Sequence, residues 1–246
     1  MKRYPCCTDG EAGRTGPVWD QVMLWLVLTL VVGASLMAQE APGPQRWEAA
    51  IQAFEAADRD SPPEPGQVLF LGSSSIRGWD LEEYFPELDA INRGFGGSQI
   101  ADSIHFFDRL VLPYRPRAIV FYAGDNDIAV GKSAREVVRD YQKFVAQVEA
   151  ALDETQIIFI AIKPSIRRWH LVEEMREANR LIREFSEGKP NLAYLDIDHP
   201  MIGADGKPRP ELFVEDGLHL SDAGYQLWSD LLAPLLRTSA RSSSTQ

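Results

Sequence analysis

The sequence predicts an open α/β fold, in which helices cover both faces of a five-stranded, mostly parallel sheet. Strand-like and helix-like segments alternate five times with short connections, which is the pattern of repeated strand-helix-strand units. In addition, residues 118–123, AIVFYA, form an unbroken apolar run, as expected for a strand covered on both faces. Sheets of this kind bind ligands beyond the carboxyl ends of their strands.

The predicted strands are short apolar runs rich in β-branched and aromatic residues, and they end at glycine, proline or polar residues. They span residues 68–71, 89–94, 118–123, 156–162 and 192–197.

The predicted helices are amphipathic segments between these strands. Apolar residues recur at helical spacing over residues 100–112 and again over 171–185. Ser133 begins a capping box for a long helix, and Ser221 is placed to cap the closing helix. Ahead of the sheet, Trp47, Ile51 and Phe54 share one face, which predicts a short helix against the outside of the domain.

Composition excludes several classes of function. The net charge of −11, with no basic stripe, argues against a protein that binds nucleic acid. The only cysteines, Cys6 and Cys7, precede the predicted domain, so cysteine chemistry is excluded there. The four histidines show no metal-ligand spacing, so we expect no metal and no cofactor.

The N-terminal region carries an uncharged apolar run at residues 22–38, preceded by basic residues and followed by a polar stretch. It predicts a signal peptide over residues 1–38, or else a single membrane anchor. In either case the folded part is expected outside the cytoplasm, in the periplasm or the extracellular space. Residues 39–66 are interpreted as a linker with a short helix, 67–237 as the main folded domain and 238–246 as a disordered tail.

Four loops follow predicted strands and should therefore meet at the carboxyl edge of the sheet. Their sequences are GSSS, GFGGS, GDND and KPSIRRW. In the first, a buried strand ends at Gly72 and a sharp turn presents Ser74, the candidate nucleophile. Taken alone, such a Gly-Ser segment indicates only a turn between two secondary-structure elements.

The partners that a serine nucleophile needs occur later in the chain. Asp216 and His219 are three residues apart, so the carboxylate can accept a hydrogen bond from Nδ1 and leave Nε2 free as a base. The alternative is a solvated surface turn. Donors for a developing oxyanion are the backbone amides of Ser74 and Gly97 and the side-chain amide of Asn126. Singly, Gly97 and Asn126 would also suit simple turns.

In the order Ser, Gly, Asn, Asp-x-x-His, these blocks resemble the SGNH hydrolases, also called the GDSL esterase/lipase family, from about residue 68 to 236. The resemblance implies a flavodoxin-like three-layer α/β/α sandwich and hydrolysis of a small-molecule ester through an acyl-enzyme. It also implies that Ser74, Asp216 and His219 are catalytic and that Ser74, Gly97 and Asn126 form the oxyanion hole. The first block departs from G-D-S-L, which we interpret as a bacterial GSSS-type variant.

Several alternatives remain open at this point. Asp125 and Asp127 could shape their loop or bind a metal, and two carboxylates without further partners favour the former. Residues 167–170 could grip a polar or sugar-like alcohol, or simply start a solvated helix. We expect an exported esterase that cleaves short acyl or acetyl esters and contacts a membrane only through an uncleaved anchor. The alternatives are an acyltransferase of the same family and a noncatalytic glycan-binding domain.

Overall fold

The computed structural model describes residues 43–242, and from Pro44 onward these residues form one compact unit. The apolar run at residues 22–38, predicted as a signal peptide or anchor, lies outside the described residues. Within residues 43–242 no helix is both long and apolar enough to cross a membrane.

The centre of the unit is a five-stranded sheet, and all neighbouring strands in it are parallel. The strands are β1 (Val68–Gly72), β2 (Ala90–Gly94), β3 (Ala118–Tyr122), β4 (Gln156–Ile160) and β5 (Leu192–Leu195). Their order across the sheet is β2-β1-β3-β4-β5, which is the flavodoxin-like order. The predicted fold is confirmed, and the sheet is wholly rather than mostly parallel.

Both faces of the sheet are buried, because alternate residues of each strand enter two separate apolar cores. Leu69 and Leu71 of β1 belong to one core, and Val68 and Phe70 belong to the other. The period of two residues follows from the pleat of a strand. Since neither face of the three central strands β1, β3 and β4 is left for solvent, these strands read in sequence as nearly continuous apolar runs.

The helices pack on the two faces of this sheet. They are α1 (Glu48–Asp60), α2 (Ser74–Arg77), α3 (Leu81–Tyr84), α4 (Ile100–His105), α5 (Phe107–Leu110), α6 (Asp125–Ala129), α7 (Ala134–Ala151), α8 (Val172–Ser186) and α9 (Asp222–Ser242). Ser133 caps α7 with the predicted capping box, and Ser221 Oγ accepts the Gly224 amide at the start of α9.

Two helices differ from their predicted extents. The helix predicted over residues 100–112 is broken at Phe106, which leaves the helical conformation. Phe106 and Phe107, at the break, are both buried. Helix α9 continues to Ser242, into the segment predicted as a tail, because no glycine or proline follows Pro234 to stop it.

Helix α1 lies on the surface of the unit and contributes one side chain to the core. Ile51 is fully buried among the side chains of the first core. Glu48 and Glu55 both bind the guanidinium of Arg109, and Asp58 pairs with Arg93 of β2. The predicted face of the helix was correct, but the long-range ion pairs that hold the helix in place are not visible in local sequence patterns.

Candidate active site

The site begins at the turn that ends β1. Gly72 has a φ of +140°, and a Cβ atom there would lie 1.9 Å from the carbonyl oxygen of Tyr122 on β3. Only glycine can occupy this position, because its backbone passes so close to the neighbouring strand. The chain therefore leaves the sheet abruptly, and Ser74 becomes the first residue of α2.

Of the three consecutive serines, only Ser74 faces a histidine. Ser73 and Ser75 are fully buried, whereas Ser74 is partly exposed. Ser74 Oγ lies 3.1 Å from Nε2 of His219, and Ser75 Oγ instead accepts a hydrogen bond from Lys163 Nζ. The sequence alone did not distinguish the three hydroxyls except by analogy, but their geometry does.

Asp216 and His219 lie in a tight turn just before α9. The Gly217 amide donates to the Val214 carbonyl and closes the turn. Asp216 Oδ1 then accepts the backbone amides of Leu218 and His219, at 2.8 and 2.9 Å. Asp216 Oδ2 lies 2.5 Å from His219 Nδ1. The carboxylate therefore fixes both the turn and the imidazole, as the three-residue spacing predicted.

The Asp216 carboxylate is strongly biased towards its ionised form. Partial burial acts to raise its pKa, but hydrogen bonds from the His219 amide, the imidazole and the Leu218 amide outweigh it and lower the pKa to about 2. An ionised Asp216 accepts a hydrogen bond from the Nδ1–H group of His219. The imidazole is then held in the tautomer whose Nε2 can accept the proton of Ser74.

The three predicted oxyanion donors differ in whether their N–H groups already donate to an acceptor within the protein. Among residues 43–242, the backbone amides of Ser74 and Gly97 have no acceptor. Gly97 has a φ of +80° in the exposed loop after β2, and the ring of Trp47 lies against it. Asn126 Nδ2 donates to the Ser98 carbonyl at 3.0 Å, which uses one of its two protons. That bond joins the Asn126 loop to the Gly97 loop.

The two aspartates that flank Asn126 are both engaged in ion pairs. Asp125 binds Lys163 and Arg168, and Asp127 binds Lys132 and the backbone amide of Ile100. These contacts shape the loop, which was the favoured alternative. Within the part of the chain that the structure describes, no cluster of three or more His, Cys, Asp or Glu side chains is arranged to hold a metal ion.

The segment after β4 contributes Arg168, one of the residues for which the sequence left open a contact with an alcohol or a solvated helix start. Arg168 points inward and donates to both Asp125 and Asn126. Its neighbour Arg167 is exposed, and so is His170, while Trp169 contacts the cations of Arg176 and Lys207. Neither of the alternatives considered for residues 167–170 describes Arg168.

Lys163 was given no role in the sequence analysis. It follows the apolar strand directly and is only 2% exposed. A lysine placed at the end of a fully buried strand is a signal in itself, because buried lysines are rare unless they are paired.

A groove of about 630 Å³ lies beside the Asp216 turn. Its lining includes Ile166, Val214 and Phe213 as apolar residues and Arg167, Glu215 and Asp216 as polar ones. Ile166 and Val214 are unusually exposed for apolar side chains, at 46% each. The groove is shallow and open to solvent, and its lining reaches Asp216 but includes neither Ser74 nor His219.

The wholly parallel sheet and the Ser74, His219 and Asp216 cluster at its carboxyl edge define a hydrolase with a three-layer α/β/α fold. The chain belongs to the GDSL-like lipase/acylhydrolase family, whose model matches residues 70–227. This match spans Ser74, Gly97, Asn126, Asp216 and His219. The predicted resemblance to the family is confirmed, and with it the prediction of a hydrolase that acts on ester bonds. The GSSS-type variant stays a prediction.

Solved structures with the same fold include proteins of similar length. A protein from Streptococcus pneumonia described as a platelet activating factor aligns at 22% identity over 86% of this chain and 99% of its own, with a TM-score of 0.70. A GDSL-like lipase from Bacteroides thetaiotaomicron aligns at 16% identity over 77% of this chain and 98% of its own, with a TM-score of 0.67.

A third structure is a catalytic mutant of an acetylxylan esterase from Geobacillus stearothermophilus. It aligns at 15% identity over 70% of this chain and 94% of its own, with a TM-score of 0.56. At these identities the three structures support the fold. No curated protein matches the chain at a significant level.

Proposed function

We propose that the protein is an exported serine esterase that hydrolyses short acyl or acetyl esters of small-molecule or sugar alcohols through an acyl-enzyme. The observation that carries the proposal is the 3.1 Å separation between Ser74 Oγ and His219 Nε2, with Asp216 behind the imidazole. A serine hydroxyl needs such a base because it is a weak nucleophile at neutral pH.

In the first half-reaction His219 Nε2 takes the proton of Ser74 while Oγ forms a bond to the ester carbonyl carbon. The carbonyl electron pair moves onto oxygen and gives a tetrahedral oxyanion. Its collapse breaks the bond to the alcohol, which leaves with the proton from Nε2. The products are a free alcohol and an acyl group on Ser74.

In the second half-reaction water takes the place of the alcohol. Nε2 removes a proton from the water as its oxygen attacks the acyl carbon. The second tetrahedral intermediate then releases the carboxylic acid, and Nε2 returns its proton to Ser74 Oγ. Asp216 keeps its negative charge throughout, in accordance with its low pKa, and stabilises the imidazolium that forms in each half-reaction.

The oxyanion of both intermediates is assigned to the amides of Ser74 and Gly97 and the side chain of Asn126. Support comes from their unused protons, since the two backbone amides have no acceptor among residues 43–242 and Asn126 retains one free N–H. Donors aimed at developing charge are often the largest single contribution to catalysis.

The substrate class rests on the groove beside Asp216 and on the fold. The groove has both apolar and polar walls, which suits the alcohol part of a small ester better than a long alkyl chain. An acetylxylan esterase shares the fold, so acetylated sugars are a sensible first set of substrates to test. Export is proposed from the apolar run at residues 22–38.

The test is an ester panel of acetylated xylo-oligosaccharides, nitrophenyl esters of short acids and lysophospholipids, assayed with the wild type, Ser74→Ala and Ser73→Ala. Ser73 is the matched control, because its buried hydroxyl has no hydrogen-bond partner among residues 43–242 and its loss should be tolerated. We expect Ser74→Ala to lose about 1,000-fold or more in kcat, in line with other serine hydrolases. Equal turnover by wild type and Ser74→Ala would overturn the proposal.

The same panel distinguishes hydrolysis from acyl transfer. With an added sugar acceptor, the proposed esterase gives free acid as its main product, whereas an acyltransferase gives the acylated sugar. Binding of an acetylated sugar with no turnover, unchanged in His219→Ala, would instead favour a noncatalytic glycan-binding role.

A further inference from the structure

We infer that Arg168 is a positioning residue that holds the Asn126 side chain with its N–H pointing at the oxyanion. The inference rests on the proposed function, since it concerns the same oxyanion hole. It extends that proposal to a residue outside the four motif blocks, supplied by the loop after β4.

A side-chain amide needs to be held because it has two unlike ends. Its nitrogen donates two hydrogen bonds and its oxygen only accepts. If Asn126 turned over, the oxygen would face the developing negative charge and repel it. The orientation is fixed by two contacts, one from Asn126 Nδ2 to the Ser98 carbonyl at 3.0 Å and one from Arg168 to Asn126 Oδ1 at 2.9 Å.

The Arg168 contact is the more selective of the two. A guanidinium can only donate hydrogen bonds, so it pairs with the oxygen of a neighbouring amide and not with its nitrogen. The second arm of the same guanidinium donates to Asp125 Oδ2 at 2.7 Å. One planar fork therefore spans two consecutive residues, which a single ammonium group could not do with the same geometry.

Asp125 anchors this fork because it is buried and also paired with Lys163. Its side chain is 4% exposed, and Lys163 Nζ lies 3.3 Å from the same Oδ2 atom. Lys163 also donates to Ser75 Oγ at 3.2 Å and to the Tyr122 hydroxyl at 3.0 Å. The loop that carries Asn126 and the turn that carries Ser74 are thus tied to one buried ammonium.

The geometry also explains why Arg168 is not assigned to substrate. Its side chain is only 17% exposed, and both terminal nitrogens are engaged by Asp125 and Asn126. The neighbouring Arg167, which is exposed, lines the groove instead.

The test is a double-mutant cycle of Arg168→Gln and Asn126→Ala, with kcat and KM measured on the best ester of the panel. If Arg168 acts through Asn126, Arg168→Gln lowers kcat about 10- to 100-fold, a part of the loss expected for a missing oxyanion donor, and leaves KM within about threefold. In the Asn126→Ala background the same change costs less than about twofold, because nothing is left to position.

Arg180→Gln is the matched control, since Arg180 is an exposed arginine on α8 that pairs with Glu177 and Glu184 away from the site. It should leave both constants unchanged. Should Arg168→Gln fail to give the wild-type circular dichroism spectrum, Arg168→Lys takes its place in the cycle, because it keeps the charge and removes only the fork.

Three results would overturn the inference. The first is an equal fold-loss from Arg168→Gln in the wild-type and Asn126→Ala backgrounds, which would indicate a field or folding effect. The second is a rise in KM with kcat unchanged, which would indicate a contact with substrate. The third is no effect at all. Each presupposes that Ser74→Ala is inactive in the same assay; if it is not, the proposed function itself has failed.

Discussion

Ser74 Oγ and His219 Nε2 lie 3.1 Å apart although 145 positions separate the two residues in the chain. Ser74 follows β1, and His219 lies in the last turn before α9. In the sheet, β1 lies between β2 and β3, where the order of connection reverses. In open α/β sheets, ligands bind beyond the carboxyl ends of the strands at the position where the order reverses. Ser74 and His219 meet at this position.

Replacing Asp216 with asparagine tests the role of the carboxylate. The variant is nearly isosteric, but an amide N–H facing Nδ1 would favour the wrong imidazole tautomer. We expect kcat to fall by about 100- to 10,000-fold, in the range seen for equivalent changes in other serine hydrolases. Asp205→Asn is the matched control, because Asp205 also accepts a backbone amide two residues on, in an exposed loop. A decrease in kcat of less than about tenfold in Asp216→Asn would contradict the proposed role of the carboxylate in orienting His219.

Two substitutions at Asn126 separate donation from simple packing. Asn126→Ala removes the donor and is expected to lower kcat by about 100- to 1,000-fold, as for other oxyanion donors. Asn126→Asp keeps the shape but presents a negative charge to the oxyanion, so its kcat should be lower still. Steady-state kinetics at one pH decides the matter, and an aspartate variant more active than the alanine variant would argue against an oxyanion role.

The low pKa of Asp216 predicts a pH-dependent contribution to stability. Its folded-state pKa is about 2, against an ordinary value of 3.8. A carboxyl whose pKa is depressed on folding stabilises the folded state above its unfolded pKa, and that stabilisation is lost as the pH falls through the folded pKa. The urea midpoint of the wild type should therefore exceed that of Asp216→Asn at pH 5.

The gap between these midpoints should narrow below about pH 4, as the carboxyl starts to be protonated in the unfolded chain. It should be largely gone near pH 2. A gap that grows as the pH falls from 5 to 3 would be incompatible with the depressed pKa.

The ion pair beneath the Asn126 loop predicts a strong effect on stability. Asp127 is fully buried, and burial raises its pKa, with Lys132 acting to lower it. Lys132→Met would leave the carboxylate unpaired and should cost about 3 kcal/mol, at the lower end for breaking a buried ion pair. Lys143→Met is the control, because exposed Lys143 also pairs with Asp140 but should cost less than about 1 kcal/mol. Equal urea midpoints for the two variants would contradict this reading.

Much of this architecture can be predicted from sequence because it depends on strong local signals. The strands are recognisable since both their faces are buried, and every predicted strand overlaps an observed one. Ser74, Gly97, Asn126, Asp216 and His219 were selected as candidates from motif spacing. Their roles stay predictions, but the structure brings Ser74, Asp216 and His219 into hydrogen-bonding contact.

What the sequence did not reveal depends on contacts between distant residues. Arg168 lies in the loop segment 165–170, and nothing in the sequence of that segment indicates that its side chain turns inward to Asp125 and Asn126. The position of α1 likewise depends on ion pairs between Glu48, Glu55 and Arg109, more than 50 residues apart. Local periodicity records which face of a helix is apolar, but not what that face will meet.

The central claim is that Ser74 is activated by His219, and the most direct measurement is the site of labelling by a fluorophosphonate. The protein is incubated with the probe, digested and mapped by mass spectrometry, alongside Ser73→Ala, Ser74→Ala and His219→Ala. We predict one adduct on Ser74 in the wild type and Ser73→Ala, none in Ser74→Ala, and strongly slowed labelling in His219→Ala. An adduct on Ser73 or Ser75, or labelling of Ser74 at the same rate without His219, would contradict the account.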